Sequence, residues 1–150
     1  RSDVAYICCG DNNGTLVDDL WKFDGSDWKQ LRDIANNDSD EDYDDDYAIT
    51  RAGTVSFVID GRGYIATGTR SGVTSDYWVY DPEADLWYGD SDDDYTPMTN
   101  VHNVSSGGSS RSYAVSFSTG KRGFVLSGSS GTSYFDDVYE LLPYEQEDVD

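Results

Sequence analysis

The feature that most constrains this chain is an internal repeat. Residues 51–76 match residues 111–136 at a constant offset of 60, with identical residues at eight positions. Those eight are Arg51, Val55, Ser56, Phe57, Arg62, Gly63, Gly68 and Asp76. Repeats of this length are supersecondary units that bury their apolar faces only by stacking on neighbours. The fold must therefore be built from copies of one small unit.

The start of the chain is a third copy, entered partway. Tyr6–Gly10 matches Tyr64–Gly68 and Phe124–Gly128. Asp19–Asp24 likewise matches Asp76–Asp81. Because the faces of each copy must be covered by neighbours, we expect the outer faces of the terminal copies to be exposed.

Each copy is predicted to form four short strands. The first alternates polar and apolar residues, as over Gly53–Ile59 and Tyr113–Thr119. The second ends in a small residue and a glycine, the third contains Asp-x-aromatic, and the fourth holds a Trp in the first two copies but not in the third. The glycines of Asp60–Gly63 and Gly120–Gly123 predict tight turns. No segment has the spacing of an amphipathic helix, so the predicted fold class is all-β.

These motif residues resemble kelch repeats. Tyr80-Asp81-Pro82, followed by Trp87, fits the family pattern in which a Trp comes seven residues after the Tyr. The family's Gly-Gly pair is a small residue followed by Gly in this chain. The repeated motif residues are Arg51, Arg111, Gly10, Gly68, Gly128, Trp21, Trp78, Tyr139, Trp28 and Trp87. The resemblance implies a kelch-like β-propeller in which each copy is one blade of four antiparallel strands.

The resemblance places about three blades in one propeller region that covers the whole chain. The predicted blades are 1–35, 48–90 and 110–150, and acidic inserts lie at 36–47 and 90–95. Three blades are too few to close a ring. A partial propeller completed by other chain segments, one completed by other subunits, and an open stack buried in a complex are the alternatives.

The net charge of the chain limits the classes of partner that it can bind. The chain has 30 Asp and Glu against 10 Lys and Arg, a net charge of -20. Nucleic acid is excluded as a partner because phosphates need clustered Lys and Arg. No apolar run approaches the ~20 residues that span a bilayer, so no transmembrane segment is expected. The charge favours solubility, a cation or a basic protein partner.

The acidic inserts are the predicted metal site. Asp38, Asp40 and Asp42 have the spacing with which an EF-hand loop begins, but Tyr43 and Ile49 replace its Gly and its last Glu. An irregular Ca²⁺ site and a merely solvated loop both remain open. The candidate ligands are Asp38, Asp40, Asp42, Asp44, Asp92 and Asp94. No other cofactor is indicated.

Residues that recur are expected to be structural, and residues that break the repeat are candidates for binding. Arg51 and Arg111 are therefore predicted to bond loop carbonyls or a carboxylate rather than an anion. The motif aromatics are expected to pack between blades. The ligand-binding candidates are aromatics on loops, namely Tyr43, Tyr47, Tyr95, Tyr134 and Phe135.

Cysteine and histidine offer little chemistry. Cys8 and Cys9 are adjacent, which does not make a disulfide framework, and a steric fit in the second strand is expected. A vicinal disulfide is the alternative. His102 is the only His and is placed in a predicted loop, Asn100–Ser110. One His cannot supply a multi-His metal centre, and a catalytic triad would depend on it.

The leading hypothesis is a non-catalytic binding or scaffolding module that meets a protein or glycan through an acidic loop face. An extracytoplasmic or cell-surface location is expected. One alternative is a carbohydrate-active enzyme that uses paired Asp residues. The other is a structural subunit whose incomplete propeller closes by assembly with other chains.

Overall fold

The computed structural model describes residues 4–34, 48–89, 100–103 and 110–142. All regular secondary structure in these ranges is β-strand, which confirms the all-β fold class. A helix that could span a membrane is not found among these residues. The chain divides into two compact units, 1–52 and 53–150, each of which is described by itself.

The first unit holds a three-stranded antiparallel sheet, the first sheet. Its strands are β1 (Ala5–Cys8), β4 (Leu20–Phe23) and β5 (Trp28–Gln30), in the order β1-β4-β5. A small hairpin, β2 (Asp11–Asn12) and β3 (Thr15–Leu16), links β1 to β4. Strands β1, β4 and β5 correspond to the second, third and fourth strands of the repeat, as predicted for a copy entered partway.

The second unit begins with a complete four-stranded sheet, the second sheet. Its strands are β6 (Val55–Ile59), β7 (Arg62–Ala66), β8 (Tyr77–Asp81) and β9 (Leu86–Gly89). They pair antiparallel in sequence order, which is the predicted blade. The β6–β7 turn consists of Asp60 and Gly61 with φ of 46° and 81°. Two left-handed residues give a hairpin turn whose twist suits the flanking strands.

The third sheet also has four strands, but its outer strand comes from an unexpected place. Its strands are β10 (Asn100–Asn103), β11 (Val115–Ser118), β12 (Gly123–Leu126) and β15 (Val138–Leu142), ordered β10-β15-β12-β11. The prediction of a loop over Asn100–Ser110 is wrong for its first four residues, and the third blade includes residues before 110. Strand β10 precedes the first strand of the blade and pairs with the outer edge of β15, satisfying the backbone groups of that edge.

The small-residue and Gly pair takes the same backbone conformation in all three copies. The first residues, Cys9, Thr67 and Ser127, have φ of 65°, 61° and 56°, and the glycines Gly10, Gly68 and Gly128 have φ of 126°, 101° and 96°. The first position is left-handed, which a side chain adopts at a cost of about 1 kcal/mol. The second lies at φ values that only Gly adopts readily. This explains why the second position is Gly in all three copies while the first position varies.

After this pair each copy turns back on itself. The third copy has a hairpin of β13 (Ser129–Ser130) and β14 (Ser133–Tyr134), like β2–β3 in the first copy. The second copy has a single bridge between Thr69 and Val73 at the same place.

The second and third sheets pack face to face within the second unit. Residues of β6, β7 and β8 share one buried apolar cluster with residues of β12 and β15. The central members are Val55, Phe57, Ile59, Tyr64, Val79, Val125, Tyr139 and Leu141. The ring of Phe57 lies directly over Gly123, where a Cβ would come within 2.3 Å of it.

The first strands of the two sheets also meet. The Ser116 hydroxyl donates to the Ser56 carbonyl at 2.8 Å, and the Asp60 N–H donates to the Gly120 carbonyl at 2.9 Å. We call the whole contact between the second and third sheets, made by these hydrogen bonds and by the apolar cluster, the internal interface.

Candidate functional site

The repeated Arg of the third copy is a structural residue. Arg111 is buried and donates to both carboxylate oxygens of Asp137, at 2.5 and 2.9 Å, and to the Ser127 carbonyl at 2.8 Å. Its guanidinium lies 4.4 Å from the ring centre of Phe135 and 4.6 Å from that of Tyr139. The bond from Arg111 is the main reason that the pKa of Asp137 is lowered. This arrangement ties strand ends together.

The repeated Arg of the first unit bonds loop carbonyls, as expected. Arg51 is fully buried, and its guanidinium donates to the Ile49 carbonyl at 2.9 Å and to the Ala48 carbonyl at 2.7 Å. Its own carbonyl accepts from the N–H of Gly10 at 2.9 Å. The carbonyl of Arg111 accepts from Gly68 in the same way at 2.7 Å.

The Asp-x-aromatic motif is a local hydrogen bond. The indole N–H of Trp21 donates to Asp19 at 2.5 Å, and that of Trp78 donates to Asp76 at 3.2 Å. In the third copy Tyr139 takes the aromatic position and bonds Asp137. The Asp therefore fixes the ring of the third strand.

Only two of the predicted ligand-binding aromatics fall within the described residues. Tyr134 stands exposed on the β13–β14 hairpin, and Phe135 packs beneath the guanidinium of Arg111, where it anchors the loop. Tyr43, Tyr47 and Tyr95 lie outside the described residues.

The predicted metal ligands Asp38, Asp40, Asp42, Asp44, Asp92 and Asp94 also lie outside them. Within the described ranges no three His, Cys, Asp or Glu side chains cluster in a way that could hold a metal ion. The Ca²⁺ site therefore stays a prediction about the inserts. His102 lies in β10, with its backbone opposite Glu140.

The described carboxyl groups whose pKa is displaced all have it lowered. Backbone N–H groups of Asp27 and Ser26 lower the pKa of Asp24. For Asp81, burial acts to raise the pKa, but the N–H groups of Glu83 and Ala84 together with Arg62 outweigh it.

The adjacent cysteines are free thiols at the end of β1. A hydrogen bond between them, together with burial, raises the pKa of Cys8. The same bond lowers the pKa of Cys9, whose sulfur also lies 3.7 Å from the Ile49 carbonyl.

The most distinctive surface is an exposed apolar face of the third sheet. Opposed residues of antiparallel strands point to the same side, and β11, β12 and β15 bring together apolar side chains on the side away from the second sheet. We call Val115, Phe117, Phe124, Leu126 and Val138 the third-sheet open face. Phe117 and Phe124 stack with ring centres 4.6 Å apart.

The repeat provides a direct comparison for this face. Val115 and Phe117 are 63% and 50% exposed, whereas their counterparts Val55 and Phe57 are 4% and 7% exposed. Phe57 stacks on Tyr64 as Phe117 stacks on Phe124. The residues are the same, and the difference is that the third sheet covers the second. The expected exposure of a terminal face is confirmed.

The first sheet also has an exposed apolar face. One side of β1, β4 and β5 carries the apolar residues that we call the first-sheet open face: Ala5, Ile7, Trp21, Phe23 and Trp28. Ile7 and Trp28 are each 53% exposed, whereas their counterparts Ile65 and Trp87 are 5% and 3% exposed. The predicted burial of Trp28 between blades is not met within the described residues, although it still packs on Phe23 at 4.8 Å.

Charge is nearly absent from the third-sheet open face. Its five members are uncharged; Glu140 lies beside Phe124 at its edge, and Arg122 donates to one Glu140 carboxylate oxygen at 2.6 Å. This contact raises the pKa of Arg122. The guanidinium of Arg122 also covers the ring of Phe124 at 5.2 Å. On a chain of net charge -20, such a face is a place where another protein can approach without repulsion.

Comparison with known proteins supports the fold alone. The structure of YjhT matches with a TM-score of 0.55 over 85% of this chain, at 19% sequence identity. This chain spans 31% of the YjhT chain, which is well under half of that structure. No family model and no curated protein matches the sequence.

Proposed function

We propose that this chain is a non-catalytic binding or scaffolding module, built of kelch-like repeats, that binds protein through the third-sheet open face. The observation that carries the proposal is the pair Phe57 and Phe117. The same residue in the same sheet position is covered in one copy and half exposed in the next. Because the face around Phe57 is buried against another β-sheet, the equivalent face around Phe117 has the composition to pack against a β-sheet as well.

Rigidity and aromatic composition support the third-sheet open face as a binding surface. The face is built on three paired strands, so its side chains are held in place before a partner arrives. Its aromatic pair resembles the aromatic anchors that dominate the energetics of protein interfaces. Contiguous exposed apolar patches on soluble proteins commonly mark binding sites.

The partner class follows from the internal interface. That interface joins two antiparallel sheets, with Phe57 seated on a glycine of the facing strand. A second β-sheet with a small residue at that position is the surface the third-sheet open face fits. The acidic inserts remain a second predicted surface for a cation or a basic partner, and an extracytoplasmic location remains part of the proposal.

A photo-crosslinking experiment tests the proposal. Val115 is replaced by p-benzoylphenylalanine in the full chain, which is mixed with an extract of the organism that makes it, and the adducts are mapped by mass spectrometry. We expect adducts on a β-sheet surface that disappear when Phe117→Ser is added and persist with Val58→Ser. Val58 is a matched control because it is 55% exposed but lies outside the open face. Equal adduct yield with and without Phe117 contradicts the proposal.

A further inference from the structure

We propose that the partner of the third-sheet open face is the first-sheet open face of a second copy of this chain. This inference rests on the proposed function and names its partner. The internal interface has two sides: Val55, Phe57 and Ile59 on the second sheet, and Val125, Tyr139 and Leu141 on the third. Each terminal sheet exposes the counterpart of one of these sides.

The first side is repeated by the third-sheet open face. Val115 and Phe117 stand at the positions of Val55 and Phe57 in the 60-residue repeat. In both sheets the Phe stacks on the opposed aromatic of the next strand. This apolar face therefore occurs on both the second and the third sheet, and inside the second unit only the one on the second sheet is covered by another sheet.

The second side is repeated by the first-sheet open face. Strand register shows the correspondence: Val125 opposes Tyr139, as Ile7 opposes Trp21. In the same way Gly123 opposes Leu141, as Ala5 opposes Phe23. Ile7, Trp21 and Phe23 thus take the places of the three residues that face the second sheet in the internal interface.

One difference between the two contacts gives a directional prediction. Phe57 sits over Gly123, and Phe117 would meet Ala5 at the same position. A Cβ at Gly123 would come within 2.3 Å of the Phe57 ring, so a Cβ at Ala5 holds Phe117 farther away. Ala5→Gly should therefore tighten the contact between copies.

The net charge favours these faces as the contact between copies. Two chains of -20 repel each other over most of their surface. Association through uncharged faces then strengthens when salt screens that repulsion. Such a contact is heterologous, because two different faces meet, and it gives a closed ring or an open stack depending on the rotation between copies.

Sedimentation velocity of the purified chain over a range of concentrations is the test. We expect the wild type to assemble, Phe117→Ser and Ile7→Ser to weaken assembly at least tenfold each, and Ala5→Gly to strengthen it. Val58→Ser serves as the control and should match the wild type. Association that weakens with added salt contradicts the inference, because it points to a charged contact.

Mixing the two weakened variants tests the pairing of faces. Phe117→Ser keeps an intact first-sheet open face, and Ile7→Ser keeps an intact third-sheet open face. Each alone should stay monomeric, and the mixture should form a heterodimer that does not grow. If Ile7→Ser assembles by itself, the third-sheet open face pairs with its own kind and the inference fails.

Sedimentation and crosslinking together distinguish a failure of this inference from a failure of the proposed function. A wild-type chain that stays monomeric at all concentrations overturns the second copy as partner. Crosslinks from position 115 to another protein, lost with Phe117→Ser, then still support the proposed function. If position 115 crosslinks neither to a second copy nor to another protein, both this inference and the proposed function are contradicted.

Discussion

Two glycines at equivalent positions of the repeat should respond to the same substitution in opposite directions. Gly63 is the second residue of β7 and Gly123 is the first of β12, and the two are equivalent in the 60-residue repeat. A Cβ added to Gly123 would lie 2.3, 2.6 and 2.9 Å from three carbons of the Phe57 ring. At Gly63 the nearest atom would be the Cβ of Tyr80 at 3.8 Å, an ordinary contact.

The magnitudes follow from these distances. The Phe57 ring must move by roughly 1 Å to relieve the contact with Ala at position 123, and overpacking of this kind costs about 1–3 kcal/mol. Replacing Gly by Ala where the backbone allows it gains about 0.4–1 kcal/mol by restricting the unfolded chain. Neither glycine has a positive φ. We therefore expect Gly123→Ala to destabilise the second unit by about 1–2 kcal/mol and Gly63→Ala to stabilise it slightly.

Urea unfolding followed by tryptophan fluorescence measures both changes, since Trp78 and Trp87 lie in the second sheet. The double variant Phe57→Ala with Gly123→Ala isolates the contact: in the Phe57→Ala background the cost of Gly123→Ala should vanish. Equal effects of the two glycine substitutions, or a cost at position 123 that survives Phe57→Ala, would refute the packing of the two sheets described above.

Three further predictions concern other residues. Asp137→Ala leaves Arg111 buried without its carboxylate and should cost about 3–5 kcal/mol at pH 7. The folded pKa of Asp137 is lowered, so its contribution is present above the unfolded pKa of about 3.9 and is lost as pH falls through the folded value. Urea midpoints measured from pH 7 to pH 2.5 should show the gap between wild type and Asp137→Ala closing only in acid; a gap independent of pH argues against the ion pair. Ser127→Gly should raise the unfolding free energy by up to about 1 kcal/mol, because Ser127 has a left-handed φ of 56°, and a loss of stability would contradict that strain. For the acidic insert, the Ca²⁺ alternative predicts calorimetric binding of Ca²⁺ that is lost when Asp38, Asp40 and Asp42 are replaced by Asn, whereas the solvated-loop alternative predicts no heat at millimolar ion.

Much of the architecture could be predicted from the sequence, because repeated residues report on repeated structure. The identity of Val55 and Phe57 with Val115 and Phe117 marks equivalent strands. Alternation along β6 reports its buried side. The same identity does not reveal which of the two faces is exposed, since exposure depends on whether a neighbouring sheet is present and not on the residue itself. The need of each copy for a neighbour was the signal that pointed to exposed terminal faces.

The outer strand of the third sheet could not be predicted. Asn100–Asn103 takes the outer sheet position that β5 and β9 take in the other sheets, but it comes before the other strands of its sheet in sequence. Its pairing with β15 is made by backbone groups, which any sequence provides. The two Trp at the fourth-strand position were predicted to behave alike. They do not, because Trp87 is covered and Trp28 is not.

Hydroxyl-radical footprinting across a dilution series tests the central claim most directly, because it reads matched residues of the repeat in one experiment. At low concentration we predict that Phe117 and Trp28 are oxidised readily and that Phe57 and Trp87 are protected. As the concentration rises, Phe117 and Trp28 should become protected together, with the same midpoint. Protection of Phe117 at the lowest concentration would contradict the open face, and protection of one residue without the other would contradict the pairing of the two faces.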